Sequence, residues 1–270
     1  MQTRHGELKR ILGDIGPCLV AFSGGVDSTL LLKVAFDVLG DSAVAITAVS
    51  PSLAASEREE AGFLARLIGA GHRFVETREI DDPRYARNDA LRCYYCKTAL
   101  FEVLKTLAVA AGGRTLVYGA ITDDLGDDRP GMRAAAEAGV RAPLVEAGLT
   151  KEMVRSLSHR LGLPTWDKPA MACLASRLPR FVPVTRAALL RVERAEAAIR
   201  ALGYRQVRVR VQGEGARVEL DREGLVKSSF PSEGNLVIQA VLAAGFRAAV
   251  IDPHGYRPGG RPSVQSAPAV

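Results

Sequence analysis

Seven consecutive residues, Ser23-Gly24-Gly25-Val26-Asp27-Ser28-Thr29, combine two glycines, three hydroxyls and one carboxylate. An apolar run from Cys18 to Phe22 precedes them and an amphipathic run from Leu30 to Leu39 follows, so they read as the turn between a strand and a helix. Glycine lets the backbone turn sharply and approach an anion closely, and the N–H groups of the first helical turn point outward as donors. The chemistry on offer is phosphate binding, with Ser23, Ser28 and Thr29 adding hydroxyl donors. Asp27 suits a Mg²⁺–phosphate contact, directly or through water, because Mg²⁺ keeps several waters and takes few carboxylates. It is also an acid where the helix dipole favours one. No Gly-Lys-Ser/Thr follows, which excludes a Walker A loop, and the third glycine of the dinucleotide fingerprint is missing.

Thiols form the second chemical group. Cys93-Tyr94-Tyr95-Cys96-Lys97 opens a predicted helix, and Cys173 sits in a stretch with proline at 164, 169, 179 and 183. The pair Cys93 and Cys96 fits four readings: half-buried apolar residues, a dithiol, half of a zinc site completed by Cys173 with His72 or His159, or iron–sulfur ligands. Three thiolates around an iron–sulfur cluster would leave one iron open to a small ligand. Cys173 reads either as a small buried residue beside Met171 and Leu174 or as a thiol activated by Lys168 and Arg177, if those cations point toward it. Cys18, in the first predicted strand, reads as core. Asp123, Asp124, Asp127 and Asp128, closed by Arg129-Pro130-Gly131, read as a solvated loop unless a metal or ligand offsets their charge. Arg208 and Arg210 alternate with Val207, Val209 and Val211, so the two arginines share one face of a strand. With Arg177 they suit fork-like binding of phosphate or carboxylate, the alternative being a solvated sheet face.

Positioning these groups falls to a regular alternation of elements. The pattern predicts strands over 19–22, 44–49, 73–77 and 115–119, and helices over 27–39, 55–68, 95–111 and 151–161, the last capped by Thr150 and stopped by Gly162. That order implies an α/β fold with a doubly wound parallel sheet, nearly continuous apolar strands, and a ligand beyond the strands' carboxyl ends. After residue 184 the pattern changes to a predicted helix over 186–202, strands over 206–211 and 216–220, a helix over 231–243 and a strand over 247–251. The expected domains are residues 1–184, a smaller α/β domain over 185–257, and a Gly/Pro/Ser-rich tail over 258–270 expected to be disordered.

The chain has 270 residues, a net charge of +6 and four cysteines, too few for a disulfide scaffold of this size. No apolar stretch is long enough to span a bilayer and residues 1–10 are polar, so a soluble, cytoplasmic protein without a membrane partner is expected. The basic excess, 29 Arg and 7 Lys, is spread over the whole length, and aromatics are only 6%. Neither points to a nucleic-acid surface.

The motif Ser23-Gly24-Gly25-Val26-Asp27-Ser28 resembles the pyrophosphate loop (PP-loop) of the ATP pyrophosphatase superfamily, whose members split ATP between the α and β phosphates. Taken with Cys93-x-x-Cys96, the segment Gly119 to Gly131, and Pro169-Ala170-Met171-Ala172-Cys173-Leu174-Ala175-Ser176-Arg177, the chain over residues 5–257 resembles the LarE family of ATP-dependent sulfur transferases. The resemblance implies ATP and Mg²⁺ bound at Ser23, Gly24, Gly25, Asp27, Ser28 and Thr29. It implies adenylylation of a carboxylate of pyridinium-3,5-biscarboxylic acid mononucleotide, with Asp124, Asp127, Arg129, Arg177, Arg208 and Arg210 as candidate substrate ligands, and homo-oligomerisation. It implies one of two sulfur sources: a [4Fe–4S] cluster held by Cys93, Cys96 and Cys173 and recharged by a sulfide donor the sequence does not identify, or Cys173 as a sacrificial donor. Amidating ligases of the superfamily have no need of three cysteines placed in this way. The residues also admit a tRNA thiolation enzyme or a non-catalytic nucleotide sensor.

Overall fold

A computed structural model describes residues 2–126, 129–169 and 172–257, apart from the Gln2 side chain. Asp127, Asp128, Ala170, Met171 and the 258–270 tail lie outside the described residues. The chain divides into two compact units, Met1–Met171 and Ala172–Val270.

The first unit runs α1 (Gln2–Ile15), β1 (Cys18–Ala21), α2 (Val26–Leu39), β2 (Ala43–Val49), α3 (Ala55–Ile68), β3 (Gly71–Glu76), α4 (Pro83–Ala86), α5 (Arg92–Ala110), β4 (Thr115–Tyr118), α6 (Pro130–Glu137), α7 (Pro143–Glu146) and α8 (Lys151–Arg160). Its four strands form one parallel sheet in the order β3-β2-β1-β4, with Cys18 level with Ala43 on one side and Thr115 on the other. Strand alternation divides the core. Cys18, Val20, Ala43, Ala45 and Val117 pack with Leu8 and Leu12 of α1, Leu30 to Leu32 of α2, Leu64 of α3 and Leu157 of α8. Leu19, Ile46 and Leu116 pack the other face with Leu100, Phe101 and Leu104 of α5 and Ala135 of α6. Each fully buried leucine contributes about 1.5–3 kcal/mol, so α2 is fixed on the sheet and carries the preceding loop with it.

Three features depart from the sequence expectations. The outer strand β3 is mixed and largely exposed: it is an edge of the sheet, and most of its side chains lack the cover that buries those of β1 and β2. Residues 2–15 form a helix whose Leu8, Ile11, Leu12 and Ile15 repeat at helical spacing, a pattern masked by the polar residues around it. The segment closed by Arg129-Pro130-Gly131 is not loop throughout, since Pro130 starts α6.

The second unit begins with a short 3₁₀ turn over Leu174–Arg177 and continues with α9 (Arg186–Ala201), β5 (Val207–Gln212), β6 (Gly215–Leu220), α10 (Arg222–Ser228), α11 (Pro231–Ala243) and β7 (Ala248–Ile251). Strand β6 lies between β5, antiparallel to it, and β7, parallel to it. Gly213-Glu214 makes the two-residue hairpin turn, with Gly213 at φ +56°. No helix among the described residues is long and apolar enough to cross a membrane.

Burial pushes the Cys18 thiol up to about 11, and the side chain is fully buried. Cys93 and Cys173 are exposed and Cys96 is half-buried. Iodoacetamide at pH 8 should therefore modify Cys18 at least ~100-fold more slowly than Cys93, because a raised pKa depletes the thiolate and burial blocks access. Peptide mass mapping measures this, and the gap should close only on unfolding.

Candidate active site

The loop after β1 is organised by its own hydroxyls. Ser23 and Ser28 place their Oγ atoms 3.1 Å apart, Ser28 Oγ donates to the Gly25 carbonyl at 3.2 Å, and the Ser23 N–H reaches Ser28 Oγ at 3.3 Å. Gly24 has φ +69°, a conformation that strains other residues. The Gly25 N–H points at Ser23 Oγ, at a long 3.4 Å. The site residues thus include two hydroxyls and the start of a helix with no side-chain cap on its first N–H groups, a fitting receptor for an anion. Thr29 is placed differently: it is fully buried and its hydroxyl has no protein partner.

Below the loop, Gly119 after β4 presses on the start of α2. A Cβ there would lie 2.9 Å from the Ser28 nitrogen, 3.0 Å from its Cα and 3.1 Å from the Asp27 carbonyl carbon. All three are backbone atoms and cannot swing aside. Gly119→Ala should cost about 1–3 kcal/mol by overpacking, and the displaced loop should weaken the ATP binding that the resemblance implies by roughly tenfold or more. Thermal melting and calorimetry with a non-hydrolysable ATP analogue check the two effects.

Asp27, in the first turn of α2, accepts from Lys151 Nζ with both carboxylate oxygens, at 2.7 and 2.5 Å. Burial raises the Asp27 carboxyl above the ordinary aspartate range, outweighing the Lys151 ammonium that pulls it down; the Asp124 charge adds to the rise. Lys151 is itself held by its backbone, whose N–H donates to the Asp123 carboxylate at 2.8 Å, while Thr150 caps α8 through the Met153 N–H at 3.3 Å. A second lysine reaches the loop: Lys168 Nζ donates to the Gly24 carbonyl at 3.0 Å and pairs with Glu60 at 2.7 Å. One turn into α8, Arg155 donates to the carbonyls of Trp166 and Lys168 at 2.8 and 2.9 Å, which fixes the segment carrying Lys168. Only tertiary contacts bring Lys151 and Lys168 to the loop, and the Lys168 ammonium, read in the sequence as a neighbour of Cys173, is engaged there.

The acidic segment is tied down rather than freely solvated. Asp123 caps α8, and Asp124 accepts from the Ile121 N–H at 3.0 Å and pairs with Arg129. Cys93 and Cys96 lie one turn apart at the start of α5. Gly131 of α6 is packed against this turn, where a Cβ would come within 3.2 Å of Lys97 Cγ and 3.7 Å of the Cys93 carbonyl. Tyr94 donates to Glu137 at 2.5 Å and lies beneath the Arg133 guanidinium, which ties α6 to the start of α5. His72 is committed to Thr47 at 2.8 Å between the rings of Phe22 and Phe74, and His159 packs edge-on against Trp166. Among the described residues no group of three or more His, Cys, Asp or Glu is gathered to hold a metal ion.

In the second unit, Cys173 caps the 3₁₀ turn whose last residue is Arg177. Arg177 is buried and donates to the backbone carbonyls of Ala172 and Cys173 and, through Nε at 2.8 Å and Nη2 at 3.1 Å, to Glu196. Glu196, absent from the sequence candidates, also accepts from Arg200 at 2.9 Å and the Val209 N–H at 3.0 Å. Its carboxylate is the anchor for the turn that bears Cys173. Arg210 pairs with Glu219 at 2.6 Å. Arg208 is buried, lies 4.3 Å above the Tyr256 ring, and is held below the ordinary arginine value by burial, with Arg177 and Arg210 adding repulsion. Neither arginine sits on an open sheet face.

A parallel α/β sheet bearing this loop at the carboxyl end of its second-from-edge strand β1 defines a PP-loop protein of the ATP pyrophosphatase type. No protein-family profile matches the chain. It is 35% identical over 260 residues to the pyridinium-3,5-bisthiocarboxylic acid mononucleotide synthase of Lactiplantibacillus plantarum, covering 96% of this chain and 94% of that protein. The chain belongs to the LarE family and is an enzyme of the sulfurtransferase type. It is also 45% identical to an uncharacterized Synechocystis protein over 261 residues, 96% of this chain and 97% of the other. A weaker similarity, 25% over 239 residues, links 88% of the chain to 90% of an uncharacterized protein of Methanocaldococcus jannaschii.

Proposed function

We propose that the chain activates a carboxylate of pyridinium-3,5-biscarboxylic acid mononucleotide with ATP and replaces the activated oxygen with sulfur. The carboxylate oxygen attacks the α-phosphorus, the bond to the bridging oxygen breaks, and pyrophosphate leaves. A sulfur nucleophile then attacks the acyl carbon, AMP departs with its oxygen, and a thiocarboxylate remains. The observation that carries this reading is the loop over residues 23–29, whose glycines, Ser23 and Ser28 hydroxyls and adjacent Asp27 suit a Mg²⁺-bound pyrophosphate leaving group. The relative named for the bisthiocarboxylic acid product supports the substrate. Arg177, Arg208 and Arg210, with Asp124, Asp127 and Arg129, are the candidate ligands for its phosphate and carboxylates. Asp127 lies outside the described residues, and Arg177 contributes at least by holding the Cys173 turn.

For the sulfur source, the Cys-x-x-Cys pair and Cys173 supply the thiolates that a [4Fe–4S] cluster with one iron left open takes, and Cys93, Cys96 and Cys173, which the described residues do not gather into a metal-holding group, would hold it. Such a cluster would supply a transferable sulfide at that open iron. The chain's own residues bind ATP, hold the substrate's anionic groups and present the three thiolates. In the sacrificial alternative, the Cys173 sulfur attacks the acyl-adenylate and its Cβ–S bond then breaks by elimination, leaving dehydroalanine. We read the protein as cytoplasmic and homo-oligomeric.

The test is anaerobic purification with iron and sulfide analysis, then mass measurement after turnover with the mononucleotide and ATP. About four irons and an unchanged polypeptide mass are expected. An iron-free chain that loses one H₂S at Cys173 would replace the cluster reading with sacrifice, and no pyrophosphate release with the mononucleotide would remove the enzymatic reading altogether.

A further inference from the structure

The pairing of Lys151 with Asp27 places a cation directly on the loop carboxylate. A single ammonium spans both oxygens of the carboxylate nearest the phosphate loop, at 2.7 and 2.5 Å. Asp27 is the carboxylate that would hold a hard cation at this loop, and an ammonium is the closest side-chain equivalent of such a cation: compact, strongly hydrated and able to donate to several oxygens. The backbone of Lys151 is pinned by Asp123 and by the capped start of α8. Its side chain remains 39% exposed, whereas that of Asp27 is 24% exposed. A fixed base and a flexible stem of four carbons allow the charge to move a few ångströms without any movement of α8.

We propose that Lys151 is a stand-in for the metal. In the nucleotide-free enzyme it neutralises Asp27 and keeps the loop receptive to anions. When Mg²⁺-ATP binds, Lys151 releases the carboxylate to the metal and its ammonium turns onto the departing pyrophosphate. Lys151 thereby balances charge at the loop in both states: one cation faces Asp27 before binding, and two share Asp27 and the phosphates afterward. This role rests on the nucleotide reading of the loop.

The test combines metal and anion binding in Lys151→Met. In nucleotide-free protein, Mn²⁺ followed by electron paramagnetic resonance should bind K151M about tenfold or more tightly than wild type, because Asp27 is no longer occupied. The Asp27→Asn/Lys151→Met double variant should lose that gain. In calorimetry with inorganic pyrophosphate in EDTA, K151M should bind about tenfold more weakly than wild type, since an unbalanced carboxylate repels the anion. An ion pair that merely ties α2 to α8 would lower the melting temperature of K151M without raising Mn²⁺ affinity, and that result overturns the proposal. Lys151→Gln replaces K151M if the latter does not fold, with the same two readouts. Failure of wild type to bind pyrophosphate in Mg²⁺ buffer would overturn the nucleotide reading itself and the role of Lys151 with it. Normal wild-type binding with an unchanged K151M overturns the role of Lys151 alone.

Discussion

Cys173→Ser is expected to abolish thiocarboxylate formation, by roughly 10³-fold or more, while pyrophosphate release on activation of the mononucleotide stays within about threefold of wild type. The division follows from the two halves of the chemistry. In the proposed reaction, activation falls to the loop over residues 23–29, to Asp27 and to Gly119, all in the first unit. Sulfur delivery depends on a thiolate, and a serine hydroxyl neither ligates iron as a thiolate does nor surrenders sulfur. The substitution is mild structurally, because Cys173 is exposed and has an extended backbone at φ −56° and ψ 153° that serine adopts readily. Cys93→Ser and Cys96→Ser then separate the two sulfur sources. If the three thiols hold a cluster, each variant loses iron and sulfur transfer together with Cys173→Ser; if Cys173 is consumed, both keep a single turnover. Pyrophosphate release, thiocarboxylate yield and iron content, measured on the same anaerobic preparations, give the answer.

Glu196→Ala should destabilise the second unit by about 3–5 kcal/mol, the cost of leaving a buried charge without its partner. Arg177 and Glu196 have side-chain exposures of 2% and 1%, so water cannot replace either partner without opening the core. The same deletion takes away the carboxylate that accepts from the Val209 N–H in the middle of β5. Chemical denaturation should show this as a lowered midpoint, whereas Arg10→Ala, which breaks only the exposed pairs with Glu7 and Asp14, should leave the midpoint unmoved. Because Arg177 also holds the carbonyls of Ala172 and Cys173, sulfur transfer should fall further in Glu196→Ala than ATP activation does. Equal losses in both half-reactions would show that the pair serves stability only.

Much of the first unit was legible because its information is local. Apolar strands, amphipathic helices and the glycine turn each occupy a short continuous segment, and periods of 2 and 3.6 reveal them. Elements were missed where local pattern and tertiary role diverge. The apolar stripe of α1 is diluted by charged neighbours, and the start of α6 at Pro130 is hidden by a loop-like Arg-Pro-Gly. The arginines of β5 alternated as a solvated face would, yet Arg208 is covered by Tyr256 and Arg210 is paired with Glu219. Their covering groups come from 48 and 9 residues away in the chain, beyond the reach of any periodicity.

By itself the sequence determined the loop and the resemblance on which the proposed activation chemistry rests. Ser23-Gly24-Gly25-Val26-Asp27-Ser28 encodes a phosphate-binding turn because backbone freedom, hydroxyl donors and helix start must be contiguous to act together. It likewise determined that three thiols are available for sulfur delivery. Tertiary structure alone decided which cations attend the loop. Of seven lysines spread along the chain, Lys151 and Lys168 reach it, from 124 and 144 residues away. It also decided that Glu196, unremarkable on an amphipathic helix, anchors the turn bearing Cys173. Charge is long-ranged and indifferent to chain order, so the partners of a charged site are chosen by how helices pack, and packing is written nowhere in a single segment.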